Sequence, residues 1–291
     1  MRSESFFNSF VHIKFVFVLA HFPSSEFKGK SAFGKYGDSV LELDHAVGQI
    51  LNQLEELEIQ NDTFTYFSSD NGGHLEETNN EGQPEGGSNG IFRGGKGHGA
   101  MEGGIRVPSF VMWPSVLPSN RIVDVPTMQM DIFATIHSIV GREMPKSVII
   151  DGKDILPLLK GQSEFSPHQF MFHYCGIYLH GVRWVESLDR VWKLYYYTPK
   201  YKPNEEKCSF VCMCFGEYVL QHDPPLVYNI AKDPSERNPL NVTNSEYSRI
   251  VDTILQAKNR HQASLTQVAS QFSLTHSVWK PWLQPCCSWT L

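Results

Sequence analysis

The chain has 291 residues, 41% hydrophobic and 12% aromatic, enough apolar material to bury a large core in one large or two modest globular domains. With a formal net charge of -6 and no Lys/Arg-rich run, it presents no basic face for a polyphosphate, which argues against nucleic acid as a partner.

In chain order, residues 6–22 form an apolar segment behind Arg2. His12 and Lys14 interrupt it and no small-x-small cleavage site follows, so it reads as a buried strand rather than a signal peptide. It is too short to cross a bilayer, and no transmembrane segment is expected. Gly34 to Asp38 reads as a turn, after which Val40, Leu43, Val47, Ile50, Leu54 and Leu57 recur at three- and four-residue steps and predict an amphipathic helix. The β-branched and aromatic residues of 63–68 predict a strand. Helix, strand and loop make an α/β unit, in which ligands gather beyond the carboxyl ends of strands, where Asp70 and Asn71 fall. Residues 72–104 are rich in glycine and lack periodicity, the pattern of a long functional loop. A strand over 107–113 and a helix over 130–140, with Thr127 as its cap, follow.

From about Gln169 the texture changes to short strand candidates, 170–174, 191–197 and 226–230, separated by Pro, Asp and Asn turns. A helix over 247–261 and an apolar stretch around Trp279 and Trp282 close the chain. This divides it into an α/β portion, 1–164, and a smaller α+β domain with an antiparallel sheet, 165–291.

Six cysteines are few for this length but clustered. Cys208-x3-Cys212-x-Cys214 without a nearby histidine pair fits zinc poorly, so disulfides are the preferred reading, with the pairing open from the residues alone. The sequons Asn61-Asp62-Thr63 and Asn241-Val242-Thr243 agree with passage through an oxidising, glycosylating secretory pathway.

In Ser69-Asp70-Asn71-Gly72-Gly73-His74, a carboxylate and an amide oxygen side by side supply the hard donors that calcium or magnesium selects, although Asp-Asn-Gly is also a common turn. Downstream, Gly94-Gly95-Lys96 sets a compact cation among glycines that let the backbone approach an anion; a surface lysine on a solvated loop is the competing reading.

Asp70-Asn71-Gly72, Gly94-Gly95-Lys96 and Glu102-Gly103-Gly104-Ile105-Arg106-Val107-Pro108, in this order and spacing, resemble the C-terminal signature of sulfatases. Tyr36-Gly37-Asp38, Phe172-His173-Tyr174-Cys175, His222-Asp223-Pro224-Pro225-Leu226 and the block from Trp279 to Cys287 are similar to the steroid-sulfatase and arylsulfatase D, E, F and H subgroup. The resemblance implies an alkaline-phosphatase-like α/β core, here partial, and hydrolysis of aryl or steroid sulfate esters with bound Ca2+. In the family a formylglycine made from a Cys-x-Pro-Ser-Arg cysteine attacks sulfur. By position Asp70 and Asn71 match two calcium ligands, and Lys96 the lysine that contacts the sulfate and the leaving oxygen. The resemblance also implies the disulfides Cys175–Cys214 and Cys208–Cys212, with Cys286 and Cys287 unpaired.

No cysteine in this sequence is followed by x-Pro-Ser-Arg. Formylglycine is therefore expected to be absent, the calcium site incomplete and the isolated chain inactive, so that an inactive remnant stands as the alternative function. A related phosphohydrolase is disfavoured by the subgroup-specific blocks. His21 is the nearest candidate for the family's catalytic histidine; a different alignment places His12 near that position and Lys14 on it. His74, His98 and His173 are read as loop or strand residues and not as calcium ligands, since calcium takes oxygen.

Overall fold

The computed structural model describes residues 21–79, 81–145, 147, 149–203, 205–208, 212–266, 268, 273 and 278. The segment 1–20, with His12 and Lys14, and the block holding Trp279, Trp282, Cys286 and Cys287 lie outside them.

Helix α1 (Gly34–Glu56) starts earlier than its periodicity predicts, because the expected turn at Gly34 to Asp38 is its first turn. Asp38 holds the preceding loop to that turn by accepting the N–H groups of Gly29 and Ser31, both at 2.7 Å. Strand β1 (Thr65–Ser68) pairs antiparallel with β2 (Ser109–Met112), with Phe67 stacked on Phe110. Between them the only helix among the described residues is the short α2 (Glu102–Ile105), so the glycine-rich stretch is a loop, as its composition predicts.

Helix α3 (Asp131–Ile139) is not capped by Thr127. The fully buried Asp131 carboxylate instead ties the preceding turn to the segment after the helix, accepting the N–H groups of Met128 and Lys153 at 2.7 and 2.8 Å and meeting His168 Nε2 at 2.6 Å. The short α4 (Leu156–Leu159) follows.

The C-terminal part is a four-stranded antiparallel sheet in the order β3 (Phe170–Cys175), β4 (Tyr178–Val185), β5 (Val191–Pro199), β6 (Val219–Asn229). Strand β4 is not apparent from the sequence, because Gly181 and Arg183 interrupt its apolar alternation. Gly181 is needed where the backbone passes Leu194 O and Ala100, since a Cβ would sit 2.8 Å from that oxygen. Strand β6 runs through Asp223-Pro224-Pro225, read from sequence as a turn; as an edge strand it can lose the donors that proline lacks.

The sheet is covered on both faces. On one, Trp192, Leu194 and Val227 pack against Tyr247, Ile250 and Ile254 of α5 (Ser245–Ser264), whose start is capped by Asn244 accepting Glu246 N–H at 2.9 Å. On the other, Val191, Tyr195 and Tyr228 pack against Ala100 and Met101 of the glycine-rich segment. Strand β5 is therefore buried on both sides, with alternate residues facing α5 and the sulfatase-like motif.

Candidate active site

At the carboxyl end of β1 the chain turns through Ser69, Asp70 and Asn71. Ser69 N–H donates to Pro108 O at 3.2 Å, Ser69 Oγ to Asn71 O at 2.9 Å and Gly72 N–H to Gly104 O at 3.0 Å. Backbone groups and Ser69 thus hold the turn. The Asp70 carboxylate and Asn71 side-chain amide make no hydrogen bond or ion pair with the described residues, and Asp70 is exposed. Two hard oxygens without protein partners fit a hard divalent cation in type, though they are fewer than the six to eight such an ion takes.

The glycine-rich loop returns to this turn. Lys96 N–H donates to Gly73 O at 3.0 Å, two residues beyond Asn71, while the Lys96 side chain stays exposed. The contact is riveted by Asn89, which sequence reading passed over: its Oδ1 accepts Gly73 N–H and its Nδ2 donates to Gly94 O, each at 2.7 Å. Glycine is required here for backbone approach. A Cβ on Gly72 would lie 1.7 Å from Gly103 O, and one on Gly95 2.5 Å from Gly73 O.

His21 is 6% exposed, edge-on to the Tyr36 ring at 5.3 Å, with Nε2 3.7 Å from Glu77 Oε1. It is thus packed inside, whereas Asp70 and Lys96 face solvent. His74 lies between Glu76 and Glu77, 3.7 Å from each carboxylate. His98 is buried, meeting Glu76 Oε1 at 2.9 Å and Tyr201 Oη at 3.1 Å. His173 stands on β3 and is pushed well below the ordinary imidazole range by burial first, then by Lys193 and Arg183.

Directly behind the Lys96 loop, Glu102 is 1% exposed and paired with Arg183 and Lys193. Burial pushes its carboxyl up, but these two cations outweigh that and hold it at about 2. Lys193 also meets Glu236 at 3.1 Å, and Glu236 in turn accepts Glu102 N–H at 3.0 Å and the Tyr195 hydroxyl. This buried network fixes the motif to the C-terminal sheet; its members give no spacing signal in the sequence because they come from four separate segments.

The disulfides Cys175–Cys214 and Cys208–Cys212 are both formed. Asn61 and Asn241 are exposed, and Asn241 Oδ1 accepts from Thr243 Oγ1 of its own sequon at 2.8 Å.

An α/β segment with a glycine-rich lysine loop at a strand end, followed by a four-stranded antiparallel sheet and a helix, fits the alkaline-phosphatase-like fold class. Residues 12–141 match the sulfatase family model and residues 166–291 match that of the C-terminal region of aryl-sulfatase. The chain belongs to the sulfatase family. It is 46% identical to human steryl-sulfatase over 284 residues, which are 96% of this chain and 48% of that protein. It is 45% identical to human arylsulfatase D, over 91% of this chain and 45% of that protein. The chain thus spans about half the length of the curated relatives it matches. The PsFucS1 sulfatase from Pseudoalteromonas sp. shares the fold, with a TM-score of 0.69 at 21% identity, over 85% of this chain and 47% of that one.

Proposed function

We propose that these residues supply the metal-side and lysine-side part of a sulfuric ester hydrolase site acting on aryl or steroid sulfates. The observation that carries this reading is the hydrogen bond from Lys96 N–H to Gly73 O, which ties a solvent-facing lysine to the turn bearing two unengaged hard oxygens.

In this reading Asp70 and Asn71 hold Ca2+ by their side-chain oxygens, and the ion supplies positive charge near the sulfate. Lys96 offers a compact cation to a sulfate oxygen and to the leaving oxygen, where negative charge grows as the S–O bond breaks. Asn89 and the glycine contacts pre-set the loop, so little reorganisation accompanies binding. His21, being buried, has a supporting part through Tyr36 and Glu77 rather than contact with the ester. The division at 164/165 separates this site-bearing α/β portion from the sheet domain that buttresses it.

The 291 residues contain no Cys-x-Pro-Ser-Arg and so no formylglycine precursor of that pattern. The chain by itself therefore lacks a nucleophile for sulfur and shows no turnover. Its two disulfides and two exposed sequons support a secretory location with glycans on Asn61 and Asn241. No helix among the described residues is long and apolar enough to cross a membrane.

The test joins the chain to the N-terminal half of human steryl-sulfatase and assays an aryl sulfate with calcium. Turnover by the chimera that Lys96→Ala and Asp70→Ala abolish supports the assignment. Turnover by the isolated chain, or a chimera indifferent to both substitutions, rejects it.

A further inference from the structure

The buried carboxylate Glu76 meets the loop between β5 and β6. Its Oε1 accepts Cys208 N–H at 2.8 Å, lies 2.9 Å from His98 Nε2 and is 3.5 Å from Cys212 Sγ. One ligand-capable atom from each of Glu76, His98 and Cys212 falls within 4.8 Å of the others. The side chains of Glu76 and His98 are 0% exposed, and Cys212 is 4% exposed. The other oxygen, Glu76 Oε2, is buried with no hydrogen-bond partner among the described residues, and so is His74 Nε2, 3.7 Å away. A buried carboxylate with half its acceptor capacity unused is costly and marks a ligand position.

In the oxidised protein Cys212 is bonded to Cys208, and a disulfide sulfur is a poor metal donor; the thiolate is the ligand. We propose that reduction of the Cys208–Cys212 disulfide turns this cluster into a zinc-class metal site with Cys208, Cys212, His98 and Glu76 as its ligands. Two thiolates, one imidazole and one carboxylate make a donor set that a tetrahedral ion such as Zn2+ accepts.

The redox step needs a dithiol. Its thiolate attacks one sulfur, the Cys208–Cys212 bond breaks, and closure of the mixed disulfide leaves a cyclic disulfide and two protein thiols. Metal binding then releases the two thiol protons. His98 is already oriented for it. Without metal its Nε2–H donates to Glu76 Oε1 at 2.9 Å and its Nδ1 accepts the Tyr201 hydroxyl at 3.1 Å; when the metal takes Nε2, that proton passes to Nδ1 and Tyr201 Oη becomes its acceptor. His98 N–H also donates to Gly95 O at 3.0 Å, so a metal here would grip the loop that carries Lys96.

The experiment uses Co2+ as a spectroscopic probe on the full chain, reduced with dithiothreitol and freed of it under argon. Reduced protein is expected to take one Co2+ per chain with thiolate-to-metal charge transfer and tetrahedral ligand-field bands, displaced by Zn2+; oxidised protein is expected to show none of these bands. The Cys175→Ser/Cys214→Ser variant should behave like the parent, and Cys208→Ser/Cys212→Ser should lose the bands. Glu76→Gln and His98→Gln, which leave the disulfide able to form, should each bind about 100-fold more weakly. Bands that persist without Cys208 and Cys212 belong to other cysteines and overturn the proposal. So does unchanged affinity in Glu76→Gln and His98→Gln, or a reduced chain that takes up no Co2+.

Discussion

Lys193 Nζ lies 2.5 Å from the Glu102 carboxylate, joining a 0% exposed cation on the C-terminal sheet to a 1% exposed anion behind the lysine loop. The same ammonium meets Glu236, so it separates two buried carboxylates. Lys193→Met should leave them facing each other and cost about 3–5 kcal/mol, because an uncompensated buried charge is worse than no pair at all. Urea unfolding measures it. A Lys193→Met chain as stable as the parent would show that the network contributes little.

The same cluster sets the acid limb of stability. The Glu102 carboxyl, ordinarily at 4.5, is held at about 2 in the fold, so the unfolded chain takes up its proton first. Its contribution, on the order of 3 kcal/mol, is complete above pH 4.5 and is lost as pH falls towards about 2. His173, depressed from 6.5, adds a loss that begins as pH falls through 6.5, because the folded state refuses that proton too. Unfolding free energies measured against pH should show both windows, and Glu102→Gln should flatten only the lower one.

Asn89 is the rivet between the two halves of the candidate site. Asn89→Ala removes acceptor and donor from Gly73 and Gly94 and should cost about 1–3 kcal/mol of stability. In the chimera it should also lower turnover. Lys96→Ala, at an exposed position, should change stability by less than about 0.5 kcal/mol while abolishing turnover. Comparing melting temperature and rate for both variants separates positioning from chemistry.

The two disulfides should differ in worth. Cys175–Cys214 spans 39 residues and Cys208–Cys212 only 4. Loop-closure entropy puts their removal at about 4 and about 2 kcal/mol respectively. Denaturant midpoints of the two double Ser variants test the order, and an inverted order would mean that native contacts outweigh chain entropy here.

Much of this protein was legible in its residues because the signals are local. Glycines that admit no Cβ, the Asp70-Asn71 pair at a strand end and the Lys96 loop are contiguous, so the family could be read from motif order. Strands β3 and β5 and helix α5 were legible from alternation and from three- and four-residue spacing. Strand β4 was not, because its glycine and arginine answer to neighbours on other segments. Thr127 has the residue type of a cap but α3 carries no side-chain cap, and the buried Asp131 in its first turn answers to Met128, Lys153 and His168 instead.

What only the tertiary structure decided is which side chains meet across long separations. The sequence determined that Glu102 sits in a sulfatase motif and that Cys208 and Cys212 lack a nearby histidine pair. Folding placed Lys193 and Arg183 on Glu102, and Glu76 and His98 on the Cys208–Cys212 loop. Burying a charge demands a partner from wherever the chain passes, so such pairs are set by packing and carry no fixed spacing.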